Sequence, residues 1–338
     1  MEIHGGCCNL FARPTLRQEQ AQASLIAALG MLAAGSRNWL RQPCRTMLRP
    51  HERRRSGMTR LNGKTALVTG STDGVGRLVA KRLGDAGARV LVHGRDRERG
   101  ERVVAEIKQG GGSAEFVAAD LSTLTEVRCL AEAIQQRTDR LDILINNAGI
   151  GTGGWGAPRQ TSADGHELRF AVNYLAGFLL SRLLLPLIKQ SAPARIVNVA
   201  SAGQQPIDFT DVMLTRGYSG MRAYCQSKLA QIMFTFDLAG ELHGTGITVN
   251  ALHPATYMDT TMVRRAGITP SSSVEEGAQA ILNLAASPAL EGRSGLYFNG
   301  LREARADGQA YDAKARQRLK AISLDLTSFS SAATASAG

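Results

Sequence analysis

A glycine-rich segment early in the chain restricts the possible folds more than any other feature. Residues 69–76 read TGSTDGVG, and they join the apolar segment Thr65–Thr69 to the segment Val75–Ala86, which has helical spacing. Glycines in such a turn allow close approach of the backbone to a pyrophosphate and close packing of helix on strand. The free N–H groups of the helix start then face the phosphates. The segment therefore predicts nucleotide binding. The residues expected to contact the nucleotide here are Gly70, Ser71, Gly74, Val75 and Gly76.

Beyond this turn, short apolar segments alternate with longer segments of helical spacing. The predicted strands are Thr65–Thr69, Arg89–His93, Glu115–Ala118, Asp142–Asn146, Arg195–Val199, Ile247–Ala251 and Leu296–Phe298. The predicted helices are Val75–Ala86, Arg97–Gln109, Leu124–Thr138, Asp164–Gln190, Ala223–Leu242 and Val274–Ala286. This alternation favours a parallel sheet with right-handed crossovers. We therefore predict one α/β domain over residues 58–325, a doubly wound, Rossmann-like parallel sheet, because no linker interrupts it.

The two ends of the chain differ from this domain. Residues 1–57 hold nine Arg, no Lys and three Glu, more than half of the net charge of +11, and we expect a basic extension that is disordered or targeting. Its apolar run Ala23–Ala34 is too short to cross a bilayer of about 30 Å, so a transit peptide, a membrane-surface helix and untranslated upstream sequence all stay open. Residues 326–338 are rich in Ser and Ala and are expected to be a disordered tail.

Composition excludes several classes of protein. Aromatic residues are only 5% and no basic face with interleaved aromatics occurs, so we expect no nucleic-acid partner. The sequence contains no apolar run of about 20 residues, so it predicts no transmembrane span. The five cysteines lack C-x-x-C spacing and the six histidines are scattered, which predicts free thiols, a cytoplasmic location and no metal site.

A tyrosine and a lysine form a second constellation. Tyr224 and Lys228 are separated by four residues, so a helix places the phenol and the ammonium on one face. A nearby cation favours phenolate, and the spacing therefore predicts that Lys228 lowers the pKa of Tyr224 towards neutral pH. A phenol with such a pKa is suited to general acid–base catalysis on a carbonyl/alcohol couple.

These motifs together resemble the short-chain dehydrogenase/reductase family over about residues 61–325. The glycine turn, the NNAG segment at 146–149, Asn173, Ser201 after the fifth strand and the Tyr224/Lys228 pair follow in the family's order and spacing. The segments 195–204, 223–230 and 295–300 are most similar to the retinol-dehydrogenase-like branch, which also includes bacterial ketoreductases.

The resemblance implies a role for each matching residue. Tyr224 would exchange a proton with the substrate oxygen, Ser201 would hold and polarise that oxygen, and Lys228 would bind the nicotinamide ribose as well as tune the tyrosine. Asn173 would keep a water in the relay that reprotonates the tyrosine. Further residues expected to bind the cofactor are Asp120 at the adenine, with Leu121, Asn147, Ala148, Gly149, Pro254 and Thr256.

Two positions depart from the family pattern. Ala255 stands where a glycine commonly follows Pro254, and Asp73 stands where many NADP-preferring members have a basic residue. The strand Arg89–His93 nevertheless ends in Gly94-Arg95, whereas NAD-dependent enzymes usually place an acid there for the ribose hydroxyls. Because a guanidinium grips phosphate through paired hydrogen bonds, Arg95 predicts NADP(H), with NAD(H) the less favoured alternative, and Arg77 is a second candidate cation.

The predicted function is NADP(H)-dependent hydride transfer between the nicotinamide and a carbonyl/alcohol couple. The resemblance implies a lipophilic small-molecule substrate, such as a ketone or aldehyde of retinoid, steroid or polyketide type, and a homo-oligomer. Segments 202–222 and 257–270 would cap the crevice at the carboxyl ends of the strands. The alternative is an NADP(H)-binding sensor that does not turn over a substrate; such relatives lack the Tyr or the Lys, and both are present here.

Overall fold

Short segments rich in β-branched and aliphatic residues form one eight-stranded sheet. A computed structural model describes residues 60–154 and 156–330. The strands are β1 Thr65–Val68, β2 Arg89–Gly94, β3 Ser113–Ala118, β4 Ile143–Asn146, β5 Ala194–Val199, β6 Ile247–His253, β7 Tyr297–Asn299 and β8 Arg302–Ala304. Their order is β3-β2-β1-β4-β5-β6-β7-β8, in which every neighbouring pair is parallel except β7 and β8. This is the doubly wound, single-domain arrangement that the sequence predicts.

Helices cover both faces of the sheet. They are α1 Gly74–Asp85, α2 Arg97–Gln109, α3 Leu124–Arg137, α4 Leu168–Gln190, α5 Gly220–Glu241, α6 Thr261–Arg265, α7 Val274–Ala286 and α8 Ala313–Leu326. The apolar sides of α1, α2 and α7 form one buried cluster with the sheet, and those of α3, α4, α5 and α8 form the other. Burial on both faces explains why the central strands are continuously apolar rather than alternating.

Helix α4 is the longest apolar segment of the described residues. By length and composition alone it could cross a membrane, with a mean hydropathy of 1.6, but 67% of its apolar window is buried inside the fold. Phe178 and Leu180 on this helix are completely or almost completely buried against the sheet and its neighbours. Its apolar character is therefore that of a core helix.

The predicted strands differ from the observed ones by no more than two residues at either end. Helix α4 begins at Leu168 rather than Asp164, because the Glu167 carboxylate caps it by accepting a hydrogen bond from the Phe170 N–H.

The predicted start of the C-terminal tail, residue 326, is too early, since Leu326 still belongs to α8 and Thr327 is buried. The predicted extension, residues 1–57, and residues 331–338 lie outside the described residues. Elements that the sequence did not predict are β8, α6 and α8.

The sheet order places the candidate residues at one edge. The chain leaves β1 towards β2 on one side, and the later strand β4 lies on the other side of β1. A crevice forms at such a reversal point, outside the carboxyl ends of the strands, and it is where ligands bind in this architecture. The glycine turn after β1, the NNAG segment after β4 and Ser201 after β5 all lie at this edge.

Candidate active site

The glycine turn is held in place from the far side of the crevice. The Asn147 amide donates to the carbonyl oxygens of Thr69 (2.8 Å) and Gly70 (3.1 Å), and the Thr69 hydroxyl accepts from the N–H groups of Asn147 and Ala148. A Cβ on Gly76 would lie 2.4 Å from both the Asn147 Nδ2 and the Gly70 carbonyl oxygen. Only glycine fits there, so the turn and the β4 segment pack as one unit.

The start of helix α1 combines two left-handed glycines with an acidic cap. Gly70 has a φ of +63° and Gly74 a φ of +53°, a left-handed backbone that glycine adopts without strain. The exposed Asp73 caps the helix by accepting from the Gly74 N–H at 2.7 Å. Many NADP-preferring members of the family have a basic residue at position 73, so an acid there suggested that one phosphate contact is missing. The capping bond explains why an acid stands at this position. Because His93 accepts from the Gly70 N–H and Asp73 from the Gly74 N–H, a dinucleotide pyrophosphate would be bound by the N–H groups that follow in the first turn of α1.

A buried histidine supports the same turn from β2. The His93 Nδ1 accepts a hydrogen bond from the Gly70 N–H at 3.2 Å, and burial lowers the pKa of His93 to about 4. The imidazole is therefore neutral at physiological pH, with Nδ1 free of a proton. Sequence reasoning did not single out His93; a histidine within an otherwise apolar strand was the available signal.

The end of β2 has no acidic side chain. Gly94 is buried there, and a Cβ on it would lie 2.5 Å from the Thr72 Cγ2, so a larger residue would require the turn to shift. Arg95 follows with its side chain 70% exposed and its Nη1 3.7 Å from Asp120. The second cation suggested by the sequence, Arg77, is instead paired with Glu106 at 2.5 Å, because α2 packs beside α1. Arg95 is thus a guanidinium directly after the strand end, and Arg99 lies 3.9 Å from Asp73 of the glycine turn.

Ser201, Tyr224 and Lys228 come together across the ends of β5 and α5. The Lys228 Nζ donates to the carbonyl oxygen of Val199 at 2.8 Å and lies 6.0 Å from the centroid of the Tyr224 ring. The Ser201 Oγ accepts from the Gly203 N–H at 3.1 Å, which leaves its own O–H available to a partner. A hydrogen bond with Ser201 acts to lower the pKa of Tyr224. The arrangement offers a phenol and a hydroxyl to one ligand oxygen.

Burial, rather than the lysine, dominates the environment of the tyrosine. It raises the pKa of Tyr224, and the hydrogen bond with Ser201 opposes this only in part. The predicted shift of this pKa towards neutral pH is wrong for the described structure, because burial outweighs the opposing effects; the lysine ammonium donates to Val199 and Gln231 rather than to the phenol. Burial also lowers the pKa of Lys228 to about 8.

Asn173 lies in a π-helical turn, Ala171–Leu175, within α4. Its Oδ1 accepts from the Ile150 N–H at 2.7 Å, and its Nδ2 donates to the Ile150 carbonyl at 3.1 Å and to the Ser227 hydroxyl at 3.0 Å. Both amide hydrogens are thus used within the protein. A Cβ on Gly149 would lie 3.2 Å from the Asn173 Oδ1 and 3.5 Å from the Lys228 Nζ, so this glycine lies between the two side chains.

The remaining predicted residues border the same crevice. Pro254 follows β6 and is buried, and the exposed Thr256 hydroxyl lies 3.0 Å from the Nε2 of His253. Leu121 is buried after β3, and it lines a small cavity together with Asn146 and Ala148. Ser71 is fully buried, its hydroxyl donates to the Val68 carbonyl at 2.7 Å and its N–H donates to the His93 carbonyl at 2.9 Å, so both of its donors are used within the protein.

Two buried polar residues next to the site were not predicted. Gln231 lies one turn beyond Lys228 and accepts from its Nζ at 3.3 Å. Arg169 lies one turn before Asn173 and is 3% exposed. A charged or amide side chain in an apolar helical segment was the signal in both cases, but only the tertiary contacts show what each one binds.

The chain matches known families over most of this domain. Residues 64–270 match the family model described as short chain dehydrogenase. Retinol dehydrogenase 14 of Mus musculus is 37% identical over 337 residues, which cover 90% of this chain and 97% of the relative. Retinol dehydrogenase 13 of Homo sapiens is 39% identical over 285 residues, covering 78% and 84%.

Solved structures agree with this similarity. The RhlG protein of Pseudomonas aeruginosa, solved as an active-site complex with NADP, is 32% identical, with a TM-score of 0.58 and coverage of 71% of this chain and 95% of that one. The landomycin C-6 ketoreductase LanV, with bound NADP and rabelomycin, is 30% identical, with a TM-score of 0.58 and coverage of 72% and 96%. The chain therefore belongs to the short-chain dehydrogenase family, in its retinol-dehydrogenase-like branch, and is an oxidoreductase that acts on an alcohol or carbonyl substrate with a nicotinamide cofactor.

Proposed function

We propose that the protein is an NADP(H)-dependent oxidoreductase in which Tyr224 exchanges the proton with a lipophilic carbonyl or alcohol substrate. The observation that carries this proposal is the convergence of Tyr224, Ser201 and Lys228 beside the glycine turn. When bound, the nicotinamide supplies or accepts the hydride. The residues of the chain hold the substrate oxygen and move the proton.

Tyr224 is the proposed acid in reduction and the base in oxidation. Burial favours its neutral form, so the phenol keeps its proton until a substrate oxygen accepts it. The Ser201 O–H, not used by Gly203, donates to the same oxygen and stabilises negative charge that develops there. The Lys228 ammonium beside the ring stabilises the phenolate left after transfer.

Asn173 is proposed to support the reprotonation of the tyrosine. Because both of its amide hydrogens are bonded to Ile150 and Ser227, a relay water at this residue is held through an oxygen lone pair or the main-chain carbonyl. Asn173 also holds the backbone of Ile150 in place. The preceding residue, Gly149, lies between the side chains of Asn173 and Lys228. It is therefore proposed both to hold the water and to shape the floor of the crevice.

The cofactor preference is proposed from the corner formed by β2 and the glycine turn. Gly94 itself supplies no carboxylate at the strand end, and the Asp96 carboxylate two residues later caps the next helix by accepting from the Arg99 N–H at 3.0 Å. The exposed Arg95 guanidinium reaches Asp120 only at 3.7 Å, so it is available to a phosphate, with which it can form paired charge-assisted bonds. The NADP in two of the similar structures supports this choice, whereas a 7α-hydroxysteroid dehydrogenase with 26% identity was solved with NADH.

A lipophilic substrate is proposed from the segment 257–270 and the start of α5. Three of the large exposed apolar side chains are Tyr257, Met262 and Met221, at 50%, 44% and 53% exposure. Met262 extends over the β4 segment, where its Cγ would lie 3.2 Å from a Cβ on Gly151. Exposed apolar side chains on the segments expected to cap the crevice favour a hydrophobic ligand over a sugar or an acid. The similar proteins described above include retinol dehydrogenases and a landomycin C-6 ketoreductase.

A turnover screen tests the proposal. The protein is mixed with NADPH or NADH and a panel of retinaldehyde, steroid ketones, aromatic polyketides and hydrophilic keto acids, and the absorbance at 340 nm is followed. We expect oxidation of NADPH with the apolar carbonyl compounds, and a lower kcat/KM with NADH. Tight NADPH binding without turnover of any compound would favour the sensor function, and turnover of keto acids alone would contradict the lipophilic substrate.

Two further properties stay predictions. The first is a homo-oligomer, to be measured by light scattering during size-exclusion chromatography of the full chain. The second is a cytoplasmic location, to be measured by fractionation of cells that express it. Recovery of the full chain in a membrane fraction, with loss of that association when residues 1–57 are removed, would instead assign a targeting role to the extension.

A further inference from the structure

A buried ion pair lies at the start of α4, beside the proposed catalytic groups. Arg169 and Glu167 are 3% and 1% exposed, and the Arg169 Nη1 lies 3.3 Å from the Glu167 Oε1. The Tyr218 hydroxyl accepts from the same Nη1 at 2.6 Å and donates to the same Oε1 at 3.0 Å. Burial and the Glu167 charge raise the pKa of Tyr218 to about 12, so its proton stays available to the carboxylate. We call these three residues the Arg169 cluster.

The other N–H groups of Arg169 bind the segment that follows β4. Its Nε donates to the Gly151 carbonyl at 2.9 Å and its Nη2 to the Thr152 carbonyl at 2.7 Å. One helical turn further along α4, Asn173 binds both backbone groups of Ile150. Two side chains of one helix thus hold residues 150–152, directly after the NNAG segment.

The Tyr218 hydroxyl connects the cluster to the segment that leads into α5. Tyr218 precedes Ser219, the residue that caps α5, and Tyr224 lies one helical turn into that helix. A Cβ on Gly220 would lie 2.1 Å from the Thr152 carbonyl oxygen, so the two segments are in direct contact at the cluster. Glu167 completes the junction by capping the start of α4.

Burial of an ion pair has a large desolvation cost, and apolar residues of the same size often stabilise a fold equally well. An apolar side chain at position 169 could not bind the Gly151 and Thr152 carbonyls together with a residue before α5. The directional bonds, rather than net stability, are what the charged cluster supplies to the fold.

We propose that the Arg169 cluster is a positioning site for the reaction: it sets the distance between residues 150–152, which follow β4 and floor the crevice, and the start of α5, where Tyr224 lies one turn into the helix. This inference rests on the proposed function, since Tyr224 is its proposed acid. Arg169, Glu167 and Tyr218 act through the backbone segments that they hold. A displacement of about 1 Å at a catalytic group can reduce turnover by about 100-fold.

Tyr218→Phe tests the proposal with the smallest change. The variant keeps the Arg169–Glu167 pair and the ring, and it removes only the hydroxyl that reaches both partners. Tyr174→Phe is the matched control, because the buried Tyr174 on α4 loses a hydroxyl whose hydrogen bond, at 2.7 Å, is to Ser323 on α8. We expect Tyr218→Phe to reduce kcat at least tenfold with less than a twofold change in the NADPH dissociation constant, and Tyr174→Phe to retain the wild-type kcat.

Hydrogen exchange of the free protein provides a measurement that does not depend on turnover. We expect faster amide exchange at residues 150–152 and 219–224 in Tyr218→Phe, and wild-type exchange there in Tyr174→Phe. Arg169→Lys keeps the charge but lacks the planar fork that binds both carbonyls together with Tyr218, and it should show the same loss of kcat as Tyr218→Phe. Wild-type kcat in both variants, or unchanged exchange at these residues, would overturn the positioning role. A wild-type protein that turns over no carbonyl compound would refute the proposed function, while the exchange result would still decide whether the cluster holds the segments.

Discussion

Lys228 is buried without a carboxylate partner among the residues that the structure describes, and this makes a stability prediction possible. Its side chain is 5% exposed, and Nζ donates only to the Val199 carbonyl at 2.8 Å and the Gln231 Oε1 at 3.3 Å. Burial lowers its pKa from 10.5 to about 8. The lysine proposed to act in catalysis should therefore reduce the stability of the fold at neutral pH.

The sign and the size follow from proton linkage. Below pH 8 the lysine is charged in both the folded and unfolded states, so the folded state bears the whole cost of the buried charge. Between pH 8 and 10.5 the folded state has lost the proton while the unfolded state keeps it, and the cost declines as pH rises. The difference in pKa corresponds to about 3 kcal/mol at pH 7, of which about 2 kcal/mol is relieved by pH 10.

Lys228→Met removes this titration while it keeps an unbranched side chain. The variant leaves the Val199 carbonyl without its donor, which costs about 1–3 kcal/mol at any pH. We therefore compare the free energy of unfolding of variant and wild type in urea at pH 7 and at pH 10. The difference, variant minus wild type, should be about 2 kcal/mol larger at pH 7 than at pH 10. Lys189→Met, which removes an exposed lysine, controls for the loss of a solvated charge. A difference for Lys228→Met that does not change with pH would refute the reasoning.

Two other predictions concern the cofactor and the extension. Arg95→Ala should raise the KM for NADPH at least tenfold and leave the KM for NADH nearly unchanged, because each charge-assisted bond to the 2′-phosphate contributes about 1.5–3 kcal/mol. Equal losses with both cofactors would mean that Arg95 only supports the fold. A protein that begins at Met58 should keep the wild-type kcat and Tm, since every candidate site residue lies after residue 60; a Tm lower by more than a few degrees would show that the extension stabilises the domain.

The central sheet and the glycine turn were predictable because their signals are local. Continuously apolar strands read directly as buried strands, and the helix Val274–Ala286 begins and ends where its spacing predicts. The missed elements lack those signals: β8 is mostly exposed, and α8 buries few residues along its length. Glu167 shows why the start of α4 was placed too early, since its cap depends on where the carboxylate points.

The identities of the site residues were predictable, but their partners were not. Arg77 and Arg95 are both sequence candidates for a phosphate contact, yet Arg77 pairs with Glu106 on the neighbouring helix. Spacing alone suggested that Lys228 lowers the pKa of Tyr224, whereas desolvation, a tertiary effect, raises it. The contacts of Arg169 join residues far apart in the chain, and no local pattern encodes them.

The most direct test of the proposed mechanism is single-turnover oxidation of bound NADPH by wild type and Tyr224→Phe. The assay follows 340 nm absorbance with the best carbonyl substrate from the screen. The phenylalanine keeps the ring and removes the proton, so NADPH binding and Tm should be retained, while the rate constant should fall by about 10²–10⁴-fold, the usual contribution of a general acid. A Tyr224→Phe protein that oxidises NADPH at a rate near that of the wild type would contradict the assignment of Tyr224 as the proton donor.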